Sequence, residues 1–348
     1  MNILYISPCQ GAFGGIEAFV LAVADELYSC GASVQVLFKK VKGFQLKDSL
    51  QQAIQMRRYP IRFIARGDFA TIFRSVKWAD VVHGHNPLLE VVVSALWLRK
   101  PCVLTVYNWC RKNLHPRPVL WRVANKLADH SWYISDFVWN TWEDKRQDKS
   151  GKLPIVSSLP SRVTPYKDRA GFIFASRWIP NKGIRTLLQA YSMSNIDKSK
   201  WPLVLLGDGP LREEVLAMIE RDGIHGVEIP GFLPDHERNL KISQAKWMIT
   251  PPKTNEDLGL TAIEARNVKV PCIVTDDGGL PEAAGKFSLS CQPGNIVDLA
   301  ELLETVSLIS EEDYIQLAEN TYLQLRSYLK PLNLYRQAYQ VVIRSYQE

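Results

Sequence analysis

Two acids eight positions apart, Glu256 and Glu264, mark the stretch where this chain concentrates its chemistry, Pro252 to Glu282. Between them lies an apolar, glycine-broken Leu258-Gly259-Leu260. The second acid falls in a helix-like run, Leu260 to Arg266, which ends before the strand-like Val270 to Thr275. Thr254 and Asn255 are N-cap types, which predicts a helix start near Asp257 to Gly259. A helix start offers unpaired N–H groups and the positive end of the helix dipole, and together these suit a phosphate. Two carboxylates beside such a site would repel an anion. They read instead as hydroxyl acceptors, gripping a sugar or ribose attached to that phosphate. A surface helix with two solvated glutamates would show the same spacing, so the pair alone is a weak pattern.

The segment resembles the Glu-x7-Glu motif of the retaining glycosyltransferases of family 4, which have the B-type fold. The common form is Glu-Gly-Phe-Gly-Leu, and this chain has Glu256-Asp257-Leu258-Gly259-Leu260. The ending Gly278-Gly279-Leu280-Pro281-Glu282 is similar too. Four further matches come in the family's order. Gly14-Gly15-Ile16-Glu17 resembles its Gly-Gly-x-Glu turn, and Arg177 with Lys182 resembles the Arg-x4-Lys of its diphosphate clamp. Leu203 to Gly209 resembles its strand and glycine turn, here of structural use, and Val227 to Leu233 its strand and Gly-Phe turn.

The resemblance implies two Rossmann-like, doubly wound α/β domains facing across a cleft, and it assigns roles. Glu256 would accept hydrogen bonds from the transferred sugar and Glu264 from the ribose. Arg177, Lys182 and the N–H groups around Asp257, Leu258, Gly259 and Leu260 would hold the diphosphate, where fixed positive charge stabilises the departing nucleoside diphosphate. Gly14 and Gly15 would lie against donor phosphate and acceptor, and the backbone at Gly231 and Phe232 against the base. No metal and no cofactor is expected, since arginine and lysine take the metal's place. The chain departs from the family at Tyr107-Asn108, where His-Asp is common, and at Val156-Ser157-Ser158-Leu159, which lacks Asn-Gly. The first departure leaves the donor-sugar contacts open.

The elements that must position these residues follow from periodicity. Asn2 to Ser7 reads as a strand, Gly11 to Glu17 as a glycine-rich turn, Ala18 to Ser29 as a helix and Ser33 to Phe38 as a second strand. That order is a βαβ unit and implies a parallel sheet. The turn is not Gly-x-Gly-x-x-Gly, and the second strand ends in Lys39-Lys40 where a dinucleotide enzyme carries an acid, which argues against NAD. Strands are expected at Val81-Val82 and Cys102 to Val106, with His83-Gly84-His85-Asn86 following the first of them at the carboxyl edge. Two histidines at i, i+2 without a third ligand make a poor metal site, so His85, with Tyr107 and Asn108, reads as an acceptor or cleft residue. Gly151 to Lys167, with Pro154, Pro160 and Pro165, reads as a linker. The expected domains are thus 1–165 on the acceptor side and 166–330 for the nucleotide-sugar. A terminal helix within 331–348 would cross back to the first domain.

Composition bounds the function. The 348 residues suffice for two domains;. MNILYIS enters a strand with no basic leader, and the longest apolar run, Leu88 to Leu98, contains Glu90 and is too short to span a bilayer. Six cysteines show no metal or paired spacing, which predicts reduced thiols in the cytoplasm;. Residues 1–165 hold 22 Lys and Arg against 12 Asp and Glu, a net +10, whereas the remainder nets −4. Five of the ten tryptophans (109, 121, 132, 139 and 142) lie among Arg111, Lys112, Arg117, Arg122 and Lys126. Such a stretch fits an anionic membrane surface or sugar rings, or else a core with solvated bases; Trp132 reads as core. No nucleic-acid motif accompanies the charge. The expectation is a retaining, metal-independent hexosyltransferase moving sugar from a nucleoside-diphosphate donor, UDP before GDP, to a glycan or lipid-linked acceptor in bacterial surface polysaccharide synthesis. A nucleotide-sugar epimerase of the same fold and a non-catalytic binding subunit are the alternatives.

Overall fold

The computed structural model describes residues 1–110, 116–153, 159 and 161–347. The chain forms two compact units, Met1–Ser158 with Lys330–Glu348, and Leu159–Leu329.

The first unit holds seven strands: β1 (Asn2–Cys9), β2 (Ser33–Lys40), β3 (Ile61–Ile64), β4 (Val81–His85), β5 (Cys102–Val106), β6 (His130–Tyr133) and β7 (Ser150–Lys152). All pair in parallel, in the order β3-β2-β1-β4-β5-β6-β7. Its helices are α1 (Gly15–Ser29), α2 (Asp48–Gln55), α3 (Phe69–Trp78), α4 (Leu89–Trp97), α5 (Pro116–Leu127) and α6 (Asp136–Trp142). A parallel sheet is covered on both faces and needs strands that are apolar throughout rather than alternating. The run Ile3-Leu4-Tyr5-Ile6 supplies this and is wholly buried.

The second unit holds β8 (Phe172–Ala175), β9 (Leu203–Leu206), β10 (Val227–Gly231), β11 (Trp247–Thr250), β12 (Cys272–Thr275) and β13 (Leu289–Cys291). These are also parallel, in the order β10-β9-β8-β11-β12-β13. Helices α7 (Ile184–Met193), α8 (Arg212–Arg221), α9 (Asp235–Gln244), α10 (Leu260–Asn267), α11 (Leu280–Ala284), α12 (Ile296–Ser307) and α13 (Glu311–Tyr328) accompany them. Phe172, Phe174, Trp178, Leu205, Trp247 and Ile249 form the centre of its core. The last helix, α14 (Leu334–Gln347), belongs to the first unit. There the Tyr339 hydroxyl lies 2.6 Å from His83 Nδ1 and donates to the Tyr5 hydroxyl at 3.3 Å.

Both sheets reverse direction at their first strand, between β1 and β4 and between β8 and β11. In doubly wound sheets ligands bind beyond the carboxyl ends of the strands at that switch point. Four boundaries differ from the sequence expectation. Strand β4 does not stop before the histidines but runs through both, because Gly84 and His85 pair with Leu104 and Thr105. Strand β7 lies at the start of the stretch expected to be linker. Its Ser-Gly-Lys has no apolar run, and its place comes from pairing with Ser131 to Tyr133 and from the Ser150 hydroxyl on Glu143. The second unit starts at Leu159, before Pro165. Helix α10 starts at Leu260 rather than between Asp257 and Gly259. Of the residues named above, Arg111, Lys112, Pro154, Val156, Ser157, Ser158, Pro160 and the Arg117 side chain lie outside the described residues.

Candidate active site

In the second unit the loops leaving β8 and β11 stand side by side at the switch point, and they carry Arg177, Lys182 and Glu256. Arg177 is exposed, and its place comes from the next residue. The Trp178 indole is wholly buried and donates from Nε1 to Leu206 O at 3.2 Å, while its backbone N–H reaches Asp208 O at 2.9 Å. Lys182 ends a single 3-10 turn, Pro180–Lys182. Gly183 then lets the two loops touch: its φ is +74°, and a Cβ there would lie 1.7 Å from Pro251 O. Asn181 completes the junction by accepting from Lys253 N at 2.8 Å and donating from Nδ2 to Thr254 O at 3.3 Å. With the loops so joined, Lys182 Nζ meets Glu256 Oε2 at 2.6 Å, both side chains half-buried. The two residues, assigned separately to phosphate and sugar by the resemblance, are direct partners.

The Gly278-Gly279 pair fixes Glu256 from the other side. A Cβ on Gly278 would lie 2.3 Å from Glu256 O, one on Gly279 2.4 Å from Asp257 O, and Gly279 N donates to Glu256 O at 2.7 Å. Thr254, one of the expected cap residues, is used elsewhere: its hydroxyl donates to Asn181 Oδ1 at 2.5 Å, and Gly259, with φ 100°, occupies the N-cap of α10. Leu258 is buried, and Asp257 and Leu260 are half-buried. At the edge of the sheet Gly231 O accepts from Gly207 N at 2.8 Å, and the Phe232 ring is 80% exposed.

Glu264, in α10, is buried and has a partner that no sequence pattern indicated. Its Oε1 accepts from Arg238 Nη2 of α9 at 3.0 Å, while its buried Oε2 has no hydrogen-bond partner among the described residues. Burial raises the Glu264 pKa, and the Arg238 guanidinium opposes the rise. One oxygen of this carboxylate is therefore committed to protein, and the other remains as an acceptor. Chemically, the second unit places two cations and a helix start, groups able to hold a phosphate, on the same loops and helix as two acids able to accept hydroxyls.

In the first unit, Gly14 caps α1 and Gly15 starts it. Glu17 folds back beneath them: burial raises the pKa of its carboxyl, opposed by the Glu17 and Gly14 backbone and the Cys9 thiol, and a Cβ on Gly14 would lie 3.2 Å from Glu17 Oε2. The start of this helix thus already faces a carboxylate of its own chain. His85 is inside β4 and wholly buried, not on an open edge. Its Nδ1 lies 2.6 Å from the Tyr107 hydroxyl, and its ring packs near Tyr5, Phe19 and, at 4.3 Å between centroids, His83. The Tyr107 N–H donates to Asn86 Oδ1 at 3.2 Å, and Asn108 O accepts from Trp142 Nε1 at 2.7 Å. Among the described residues no three His, Cys, Asp or Glu side chains are grouped to hold a metal, and no helix is long and apolar enough to cross a membrane. Five of the six cysteines, at 9, 102, 110, 272 and 291, are buried.

Residues 159–324 match the model of the family described as Glycosyl transferases group 1. Over 200 residues the chain is 30% identical to O-antigen chain mannosyltransferase B of Escherichia coli, covering 56% of this chain and 48% of that one. Over 162 residues it is 30% identical to 2-deoxystreptamine glucosyltransferase of Streptomyces kanamyceticus, covering 43% of this chain and 42% of that one. The chain thus spans less than half the length of either relative. The crystal structure of an Anabaena protein, HepE, in complex with UDP superposes with a TM-score of 0.81 at 16% identity, over 98% of this chain and 99% of that one. The group 1 match covers the unit that holds Arg177, Lys182, Glu256 and Glu264, and the chain as a whole has the B-type fold of glycosyltransferases.

Proposed function

We propose that the chain is a retaining glycosyltransferase of family 4 that moves a hexose-type sugar from a nucleoside-diphosphate donor to a glycan or lipid-linked acceptor. The observation that carries this reading is the Lys182–Glu256 contact at the switch point of the second sheet, inside the group 1 segment. Arg177, Lys182 and the first N–H groups of α10 hold the diphosphate and neutralise the charge that grows on it as the sugar leaves. Glu256 accepts hydroxyls of the sugar, and Glu264 takes a ribose hydroxyl on Oε2, since Oε1 is held by Arg238. The bond from the anomeric carbon to the phosphate oxygen breaks, a bond to the acceptor oxygen forms on the same face, and the acceptor proton passes to the leaving phosphate. Charge neutralisation by side chains leaves no step that requires a metal. UDP is the favoured nucleotide, supported by the UDP complex of the Anabaena structure. Bacterial surface polysaccharide synthesis is the context, supported by the O-antigen name of the E. coli relative.

Thermal shift with UDP, GDP, ADP and their sugar conjugates, with and without EDTA, tests the donor. A ligand at a hundred times its dissociation constant adds about 2.7 kcal/mol to apparent stability. One diphosphate should stabilise the protein irrespective of EDTA, Arg177→Ala should remove that effect, and Glu256→Ala should keep it while abolishing transfer. A folded protein that answers to no diphosphate overturns the reading. Binding without turnover favours the non-catalytic subunit, the outcome that Tyr107-Asn108 in place of His-Asp would explain.

A further inference from the structure

Helices α3, α4 and α5 connect β3, β4, β5 and β6, strands that advance in one direction across the first sheet, so right-handed crossovers place all three on one face;. Helix α4 packs against both neighbours. Their inward sides carry Ile72, Val76, Val91, Val92, Ala95 and Ala124, all buried. Their outward sides are apolar as well. On α4, Val93, Leu96 and Trp97 share one helical stripe, and Trp97 is 77% exposed, the one exposed tryptophan among the described residues. Phe73 of α3 lies 5.0 Å from the Trp97 ring, and Phe69, one turn earlier, is exposed. On α5, Leu120, Val123 and Leu127 are exposed at i, i+3 and i+7. Scattered exposed apolar residues are ordinary, but a run across three adjoining helices is not.

The helices of this face are predominantly basic. The three helices contain Arg74, Lys77, Arg117, Arg122 and Lys126 and a single acid, Glu90, which is paired with Lys39. A two-fold contact with a second copy would set these cations against their equivalents. An anionic lipid surface complements both the apolar stripe and its basic surround. We infer that the α3–α4–α5 face docks on an anionic membrane, with Trp97 and the α5 leucines entering the headgroup layer and Lys77 and Lys126 facing lipid phosphates. Two of the tryptophans of 109–142 are engaged elsewhere. Trp132 is buried against His83 and Tyr339, and Trp139 stacks on Tyr133 beneath Arg146. The inference stands apart from the transfer reading, because docking needs no donor.

Co-sedimentation of the full chain with vesicles of phosphatidylcholine alone, or with added phosphatidylglycerol, tests it. Binding should require the anionic lipid and should fall as salt rises from about 0.05 to about 0.5 M, where surface charges are screened. Lys77→Ala and Lys126→Ala should each weaken partition about fivefold. Trp97→Glu and Leu120→Glu should abolish it while melting temperature and nucleotide response stay at the parent values. No sedimentation above the vesicle-free control overturns the inference, as does binding that none of these substitutions changes. Self-association in sedimentation velocity that Trp97→Glu removes also overturns it and assigns the face to a second copy.

Discussion

His83 and His85 stack inside the first unit with no exposure to water. His83 is held between the Tyr339 and Thr105 hydroxyls, at 2.6 and 2.7 Å, and His85 against Tyr107. Burial penalises the charged ring, lowering the His85 pKa to about 3 and that of His83 well below its usual 6.5. A depressed histidine is neutral in the folded state while the unfolded chain takes up protons, so stability is lost as pH falls below 6.5 toward the folded pKa. His85 should therefore remove about 2 kcal/mol between pH 7 and pH 5, and His83 acts in the same sense;. Buried Glu17 and Glu264, with raised pKa, act in the opposite sense as they protonate. The test is thus differential: urea unfolding of His85→Leu across this range should show a shallower acid dependence than the parent, and parallel curves would refute the account. At this scale Glu256, Lys182 and Arg177 stand out in the sequence because their spacing forms a motif, but the Lys182–Glu256 contact does not. Arg238 was not, since nothing in sequence ties a helix residue to a glutamate that only the packing of α9 against α10 brings within 3.0 Å.

At the scale of elements, the loop bearing Glu256 takes part of its shape from Gly278 and Gly279, outside its own residues. Gly278→Ala would put a methyl 2.3 Å from Glu256 O at a φ of +66°. Overpacking together with left-handed strain should cost about 2–4 kcal/mol in urea unfolding. Relief by local displacement should also lower diphosphate affinity. Unchanged stability and affinity would show that the loop does not rest on this turn. Strands and helices rich in apolar residues were readable from periodicity, including β5 to the residue and α1 within a few positions. The start of α10 was misplaced because capping preference is local, whereas Thr254 is recruited by Asn181 from another loop. Strand β7 was missed because three polar residues gain their strand geometry from the partner strand alone.

For the whole molecule, the two units were legible as a change in element order and charge, and the first is built from both ends of the chain. Tyr335, Tyr339 and Val342 of α14 are buried in it, each worth roughly 1.5–3 kcal/mol;. A chain ending at Leu329 should lose the cooperative melting of the first unit, whereas the continuous segment 159–329 should melt cooperatively by itself. Circular dichroism melts of the two truncations check this, and a fully stable first unit without α14 would contradict it. Tyr339 therefore also sets a clock. A ribosome adding about 5–20 residues each second delivers it roughly ten to forty seconds after Ser158. Through most of that interval the second unit, whose core runs on to Tyr314, is still being made, while Tyr5, His83 and Trp132 wait on the nascent chain without Tyr339.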